Sequence, residues 1–234
     1  MANELKVSDV DVRYGRATAV SGVEITARGG TVTAVVGPNG AGKSSLLLAI
    51  YGSVPAKARI SIDADDLSAL SALERARKGL MIVPQGRQLF PRLSVRENLA
   101  LMAELLGLRK DSVEEALQRF PVLSERANSF AGVLSGGEQQ MLVVTRALMA
   151  KPKVLLLDEM MTGLAPLIVD RLLETLSGLL SEGVAVVIAD PAIGPFMDII
   201  DRGYVLVRGR VVHAVEGGGP ALDTAYRSAV IETL

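Results

Sequence analysis

The sequence predicts an α/β fold: a parallel sheet covered by helices on both faces, preceded by an antiparallel β layer and interrupted by a helical insert. Three observations lead there. Short apolar runs without strict alternation recur at TVTAVV before a glycine loop, GLMIVP (Gly79–Pro84), KVLLLD (Lys153–Asp158) and GVAVVIAD (Gly183–Asp190); such runs suit strands buried on both faces. Between the last two, Pro166 to Leu180 repeats apolar residues at helical spacing, as a crossover connection between parallel strands requires. From Ser94 to Ala150 the strand signals vanish.

Each element follows in order. LKVSDVDVRY and GVEITARGGTV alternate apolar and polar residues, which predicts strands with one solvated face and places the antiparallel layer ahead of the parallel core. SVRENLALMAELLG, DSVEEALQRF and EQQMLVVTRALMA read as three helices of the insert, with Ser or Asp at cap positions. In the crossover helix Val169, Leu172, Leu173, Leu176, Leu179 and Leu180 share one face. YVLVRGRVVHAV reads as a hairpin turning at Arg208 to Arg210, and PALDTAYRSAVIETL as a closing helix. No internal repeat or long linker divides the 234 residues. The expected organisation is one domain over 1–234, with β layer and core in 1–93 and 151–234 and the helical subdomain in 94–150.

Composition removes several functions. Twenty-five Lys and Arg against 26 Asp and Glu leave no basic surplus, so nucleic acid is not an expected partner. Without cysteine, disulfides, thiolate metal sites and cysteine nucleophiles are excluded. The N-terminal stretch lacks an apolar signal core, and no segment reaches the ~18 apolar residues of a membrane span. A cytoplasmic location is expected.

GPNGAGKS (Gly37–Ser44) lies between a strand and a helical run. Gly37, Pro38, Asn39, Gly40, Ala41 and Gly42 allow successive backbone N–H groups to face one anion, and the following helix adds its positive end. Lys43 is placed to neutralise outer phosphates, and the Ser44 hydroxyl to meet Mg²⁺. KVLLLDEMM carries Asp158 to the end of a strand, where its carboxylate also serves Mg²⁺, and Glu159 one residue later is a candidate for polarising a water. A second glycine cluster, LSGGEQQ (Leu134–Gln140), opens a helix with Ser135, Gly136 and Gly137. Its N–H groups, hydroxyl and helix dipole also suit an anion.

With GPNGAGKS as Walker A, Gln85 as the Q-loop glutamine, LSGGEQQ as the signature and VLLLDE as Walker B, in that order, the chain resembles the ATP-binding subunits of ABC transporters over nearly its whole length. The resemblance implies a P-loop NTPase (RecA-like) core, with ATP and Mg²⁺ as cofactors. It implies a dimer of two such ATPases, stacked head to tail, in which Ser135, Gly136 and Gly137 of one chain close on the nucleotide held by residues 37–45 of the other, Ser45 included. Gln85 would sense Mg²⁺, γ-phosphate and water beside Lys43 and Glu159. Tyr14 in VRYGR falls where the family stacks an aromatic ring on adenine, and Phe90, Pro91 and Leu93 fall in the groove that receives integral-membrane permease subunits. FPVLSERANSFAGVLSGGEQQ, GLAP and DRGYVL look most like importers of branched-chain and other hydrophobic amino acids, peripheral on the inner face of the cell membrane.

Four positions depart from that pattern. Pro191 stands where relatives carry a histidine or glutamine facing the γ-phosphate, and proline has no side-chain donor and no N–H. Met160 and Met161 replace the usual Pro and Ser or Thr, and Ala165 stands where many relatives have an aspartate. The sole histidine, His213, falls in the late hairpin, as a surface strand residue. A degenerate nucleotide-binding module with weak hydrolysis is therefore a competing reading. A soluble, non-transport ATPase of the same family is a second, although such proteins usually carry two cassettes or a long coiled-coil insert.

Overall fold

The structure is a computed structural model describing residues 3–109 and 111–231. Its strands are β1 (Glu4–Tyr14), β2 (Ala17–Arg28), β3 (Val32–Val36), β4 (Ala56–Ile62), β5 (Asp65–Asp66), β6 (Leu80–Val83), β7 (Val154–Asp158), β8 (Ala185–Asp190), β9 (Arg202–Val207) and β10 (Arg210–Glu216). The helices are α1 (Lys43–Tyr51), α2 (Ala72–Arg77), α3 (Val95–Leu106), α4 (Ser112–Leu117), α5 (Pro121–Glu125), α6 (Gly136–Leu148), α7 (Pro166–Ser181) and α8 (Gly218–Ile231).

The main sheet runs β10-β9-β3-β8-β7-β6. Its pairs are parallel from β9 to β6, and β10 closes the edge as an antiparallel hairpin. Every residue of β3, β7 and β8 is buried, which is why those runs are apolar throughout. Along β7 the side chains divide: Leu155 and Leu157 join the core on the helical face, while Val154 and Leu156 join the core under the second sheet.

That second sheet is antiparallel, ordered β2-β1-β4-β5. The expected layer is present but not wholly ahead of the core, since β4 and β5 come after the glycine loop. AKARISI hides this strand because only Ile60 and Ile62 are buried, too short an alternation to read. Helix α1 lies between the two sheets, with Leu46, Leu47 and Ile50 packed beside Leu5, Val7, Leu156 and Val187.

The insert connects β6 to β7, which are hydrogen-bonded neighbours, and it packs into the same core as the sheet. Leu99, Leu117 and Leu142 share that cluster with Leu155, Leu172 and Leu176. Among the described residues four α-helices replace the expected three: α5 is a five-residue turn starting at Pro121, below the length at which periodicity shows. Ser94 caps α3 with a full capping box. Asp111 does not cap α4; its carboxylate pairs with Arg109 instead. Helix α7 buries Leu172, Leu176 and Leu179, with Val169, Leu173 and Leu180 against the same core.

Two buried polar side chains fasten the connections. Arg75 donates to the carbonyls of Ala49 (2.9 Å) and Ile50 (2.7 Å) at the end of α1, and to those of Leu70 (3.0 Å) and Ser68 (3.0 Å). Asn98, fully buried, accepts from Phe90 N (3.0 Å) and donates to the carbonyls of Phe90, Leu93 and Ser94, pinning residues 90–94 to α3. Truncating either strands buried carbonyls, at a cost of about 1–3 kcal/mol per unsatisfied group. Arg75→Ala is expected to lower Tm by about 5–10 °C, measured by a thermal melt.

Candidate nucleotide-binding site

The glycine loop spans the gap between the end of β3 and the start of α1. A side chain at Gly37 would collide with the Leu206 carbonyl of β9 (2.1 Å), and one at Gly42, which has φ 105°, with the Ala19 carbonyl of β2 (2.4 Å). Glycine is required at both because neighbouring backbone comes so close. Ala41 donates to Pro38 (3.0 Å) and accepts from Gly209 (2.8 Å), so the β9–β10 turn braces the loop from outside. Among the described residues, the N–H groups of Asn39, Gly40, Gly42, Lys43 and Ser44 have no protein partner. Five donors around one turn form an anion cradle.

Lys43 is buried and folds back into that cradle. Its Nζ donates to the Gly37 carbonyl (2.8 Å) and the Pro38 carbonyl (3.1 Å). Burial pushes its pKa below the ordinary lysine range, against the pull of Glu159, Asp158 and Asp190. Ser44 Oγ donates to Asp158 Oδ1 at 3.1 Å. Burial raises the Asp158 carboxyl, with Ser44 and Lys43 opposing the shift and Glu159 and Asp190 adding to it.

The carboxylates meet here because β7 and β8 are adjacent and parallel. Asp158 pairs with Ala189, and Asp190 lies opposite Val36, the last residue before the loop. Glu159 has a left-handed backbone (φ 45°) and donates its N–H to the Ala189 carbonyl (2.9 Å). That conformation costs a non-glycine residue about 1–3 kcal/mol and turns its side chain out of the strand's alternation. Gln85 Nε2 donates to Glu159 Oε2 at 2.6 Å, joining the exit of β6 to the end of β7. Tyr14 is 49% exposed at the end of β1, with its hydroxyl 3.4 Å from Ser45 Oγ.

The donor set fits a divalent cation bound with phosphate. A hydroxyl and a carboxylate at hydrogen-bond distance are hard oxygen ligands. No group of three Asp, Glu, His or Cys side chains among the described residues could hold a metal without the anion.

The Ser-Gly-Gly turn differs from its sequence reading in one respect. Ser135 is the N-cap of α6, its Oγ accepting from Glu138 N (3.3 Å) while Glu138 accepts from Ser135 N (2.7 Å). The serine N–H is therefore satisfied rather than free. This is a capping box, which S-x-x-E in SGGE already spells. Ser135 is exposed, Gly136 and Gly137 are half-buried, and side chains at those glycines would meet Arg87 and Ile168. None of the turn's hydrogen bonds among the described residues goes to the loop 37–44.

Residues 20–162 match the family model described as "ABC transporter". The chain belongs to that family. Over 231 residues it is 38% identical to the high-affinity branched-chain amino acid transport ATP-binding protein BraG of Pseudomonas aeruginosa, covering 97% of this chain and 99% of that one. A probable branched-chain amino acid transport ATP-binding protein, LivF of Archaeoglobus fulgidus, is 33% identical over 88% of this chain and 89% of its own. The lipopolysaccharide export ATP-binding protein LptB of Haemophilus influenzae is 32% identical over 85% of each. In solved structures, an ABC-transporter ATP-binding cassette in its ADP conformation superposes with a TM-score of 0.83 at 26% identity, over 99% of this chain and 98% of that one. The protein is thus an ATPase of the ABC transporter family with the P-loop NTPase fold.

Against the family pattern, Met160 and Met161 are buried in the core on the helical face of the sheet, so they are packing residues rather than members of the site. Pro191 is half-buried beside the loop, and Ala165 is an exposed N-cap without a side-chain bond. His213 lies half-buried in the edge strand β10, paired with Val205. Sequence reasoning passed over Asp190, whose Oδ1 accepts from Ala192 N (2.9 Å); a carboxylate closing an apolar strand run was the available signal.

Burial raises the Asp190 carboxyl, helped by Glu159 and opposed by the Ala192 N–H and Lys43. A carboxyl whose folded-state pKa lies above its unfolded value weakens folding as pH rises through that interval, and weakens nothing below the ordinary value of about 3.9. Asp190→Asn preserves the acceptor for Ala192 and removes the buried charge. It is expected to raise Tm of the nucleotide-free chain by about 2–4 °C at neutral pH, a gain that fades toward about pH 4. Thermal melts across that range check it.

Proposed function

We propose that the protein is the ATP-hydrolysing subunit of an importer for branched-chain or other hydrophobic amino acids, working as a homo- or heterodimer of two ATPases on the cytoplasmic face of integral-membrane permease subunits. The observation that carries the reading is the convergence of the donor-lined loop, Lys43, Ser44, Asp158, Glu159 and Gln85 at the ends of β3, β6, β7 and β8, with Ser135 exposed on the insert. The near-full-length similarity to BraG supports the amino-acid branch. Residues 1–234 then act as one unit, divided as 1–93 with 151–234 and 94–150; residues 1, 2, 110 and 232–234 lie outside those described.

In this reading the unpartnered loop N–H groups of Asn39, Gly40, Gly42, Lys43 and Ser44 bind the triphosphate with the Lys43 ammonium, which exchanges its bonds to Gly37 and Pro38 for phosphate oxygens. Ser44, Asp158 and Gln85 would hold Mg²⁺, which when bound would supply neutralisation of the phosphate charge. Glu159 orients and deprotonates the attacking water, and its bond from Gln85 sets where its carboxylate points. Tyr14 stacks on adenine. Ser135, Gly136 and Gly137 close on the nucleotide of the partner copy, so ATP binding draws two chains together and hydrolysis releases them. The competing reading of weak turnover rests on Pro191, which offers no donor.

A permease surface is also available. Phe90 (49% exposed), Phe130 (58%) and Val133 (75%) lie on adjoining loops. Ser94 bridges to Phe130, and Gly132 N donates to Pro91. Pro91 and Leu93 lie between them, and such clustered exposed apolar residues mark a docking site.

Two experiments test the proposal. Glu159→Gln is expected to accumulate an ATP-bound dimer by light scattering, which adding Lys43→Ala abolishes; a Glu159→Gln chain monomeric at saturating ATP would refute it. Val133→Glu is expected to leave ATP-driven dimerisation intact while reducing co-purification with the permease about tenfold or more, as a charge desolvated in an apolar interface does.

A further inference from the structure

The Q-loop segment faces two ways. Gln85 reaches the catalytic-side carboxylate of its own chain, 2.6 Å from Glu159. Two residues later Arg87, with a left-handed backbone (φ 57°), turns to the signature turn. A side chain at Gly136 would lie 2.9 Å from its Nη2 and 3.0 Å from its Nη1, so the guanidinium rests over the glycine Cα.

That guanidinium is poorly partnered for a half-buried cation. Among the described residues its one hydrogen bond runs from Nη1 to Gln139 Oε1 at 3.5 Å, and it forms no ion pair. Arg126, near the same turn, contacts Glu138 at 3.9 Å; Arg87 does not. Arg87 also sits at the positive end of the 13-residue helix α6, where a cation is disfavoured. A residue that breaks a backbone preference and an electrostatic one together, with most of its N–H fork unused, is organised for something that arrives later. The arriving group must be anionic and offer several oxygens, as a phosphate does to a guanidinium.

We infer that Arg87 is a further nucleotide ligand, acting in trans: it binds the terminal phosphate of the ATP held by the partner copy, alongside Ser135, Gly136 and Gly137. This rests on the composite-site reading above and adds a charged residue to it. Within a single protomer, Gln85 then attends one nucleotide and Arg87 the other, two residues apart on one loop.

The test places substitutions in chosen copies of a dimer. Two differently tagged chains, both Glu159→Gln to prevent turnover, are co-expressed with Lys43→Ala in one copy only, and heterodimers are isolated with Mg²⁺ and radiolabelled ATP. A single cradle then holds nucleotide, and its release rate is measured. Arg87→Ala in the Lys43→Ala copy is expected to speed release about 10–100-fold, the usual effect of losing a hydrogen bond to a charged group. In the other copy it is expected to change release less than about twofold, and Arg87→Lys, which keeps charge without the fork, to fall between. Failure of the first pairing alone to retain nucleotide is the extreme form of the same result. Equal effects in both placements, or the reverse order, would overturn the assignment by showing that Arg87 acts within its own chain or only on folding, which a thermal melt of each variant separates. Ser135→Ala in the same two placements reports on the underlying reading. If it shows no placement dependence, the composite site itself fails; if it does and Arg87→Ala does not, Arg87 alone fails.

Discussion

A buried ammonium held by its own loop is the constraint on which the rest of the site depends. Lys43 stands where two backbone carbonyls and three carboxylates compete for it, and it bonds to the carbonyls of Gly37 and Pro38. The loop is folded around its own cation, whose bonds to residues 37 and 38 fix the turn that carries the N–H groups. Because Lys43 is already desolvated, exchanging carbonyl for phosphate oxygens carries little new dehydration of the ammonium. The carboxylates behind it have the opposite status. Asp158 and Asp190 are disfavoured as anions by burial, and a divalent cation is what would relieve Asp158.

How much of this was legible in the sequence follows from how local each signal is. The loop, the DE pair and the SGGE box announce themselves because the chemistry needs adjacent residues of fixed type, and β3, β7 and β8 because both their faces are buried. Strand β4 and helix α5 were illegible because each is short and contributes few core residues. The capping role of Ser135 was spelled by Glu138 three residues on. What could not be read is adjacency across the sheet. That Asp190 sits opposite Val36 depends on β8 pairing with β3, and no spacing in the sequence encodes that pairing.

The departures from family pattern separate by burial. Met160 and Met161 face the apolar core, where a flexible thioether side chain fills irregular space, and their difference from the usual residues has a packing explanation. Pro191 lies beside the loop without a donor of any kind, and that absence bears on chemistry alone. The backbone after it is instead held by the Asp190 carboxylate, which accepts from Ala192 N. A rigid imino ring followed by an N–H tied to a side chain makes this stretch stiffer than one free to swing toward a ligand.

The helical insert leaves β6 and re-enters at β7, and its helices share a continuous core with the sheet. Its attachment is accordingly that of a lever clamped at the base. Rotating it cannot proceed as a free swing about two loops, because α6 packs on β6 and Leu99, Leu117 and Leu142 belong to the same continuous core as the sheet. Close-packed interiors resist such rotation until a second arrangement of comparable packing is reached. The exposed tips near Phe130 and Val133 are thus tied through packed side chains to the end of β6, from which Gln85 reaches Glu159.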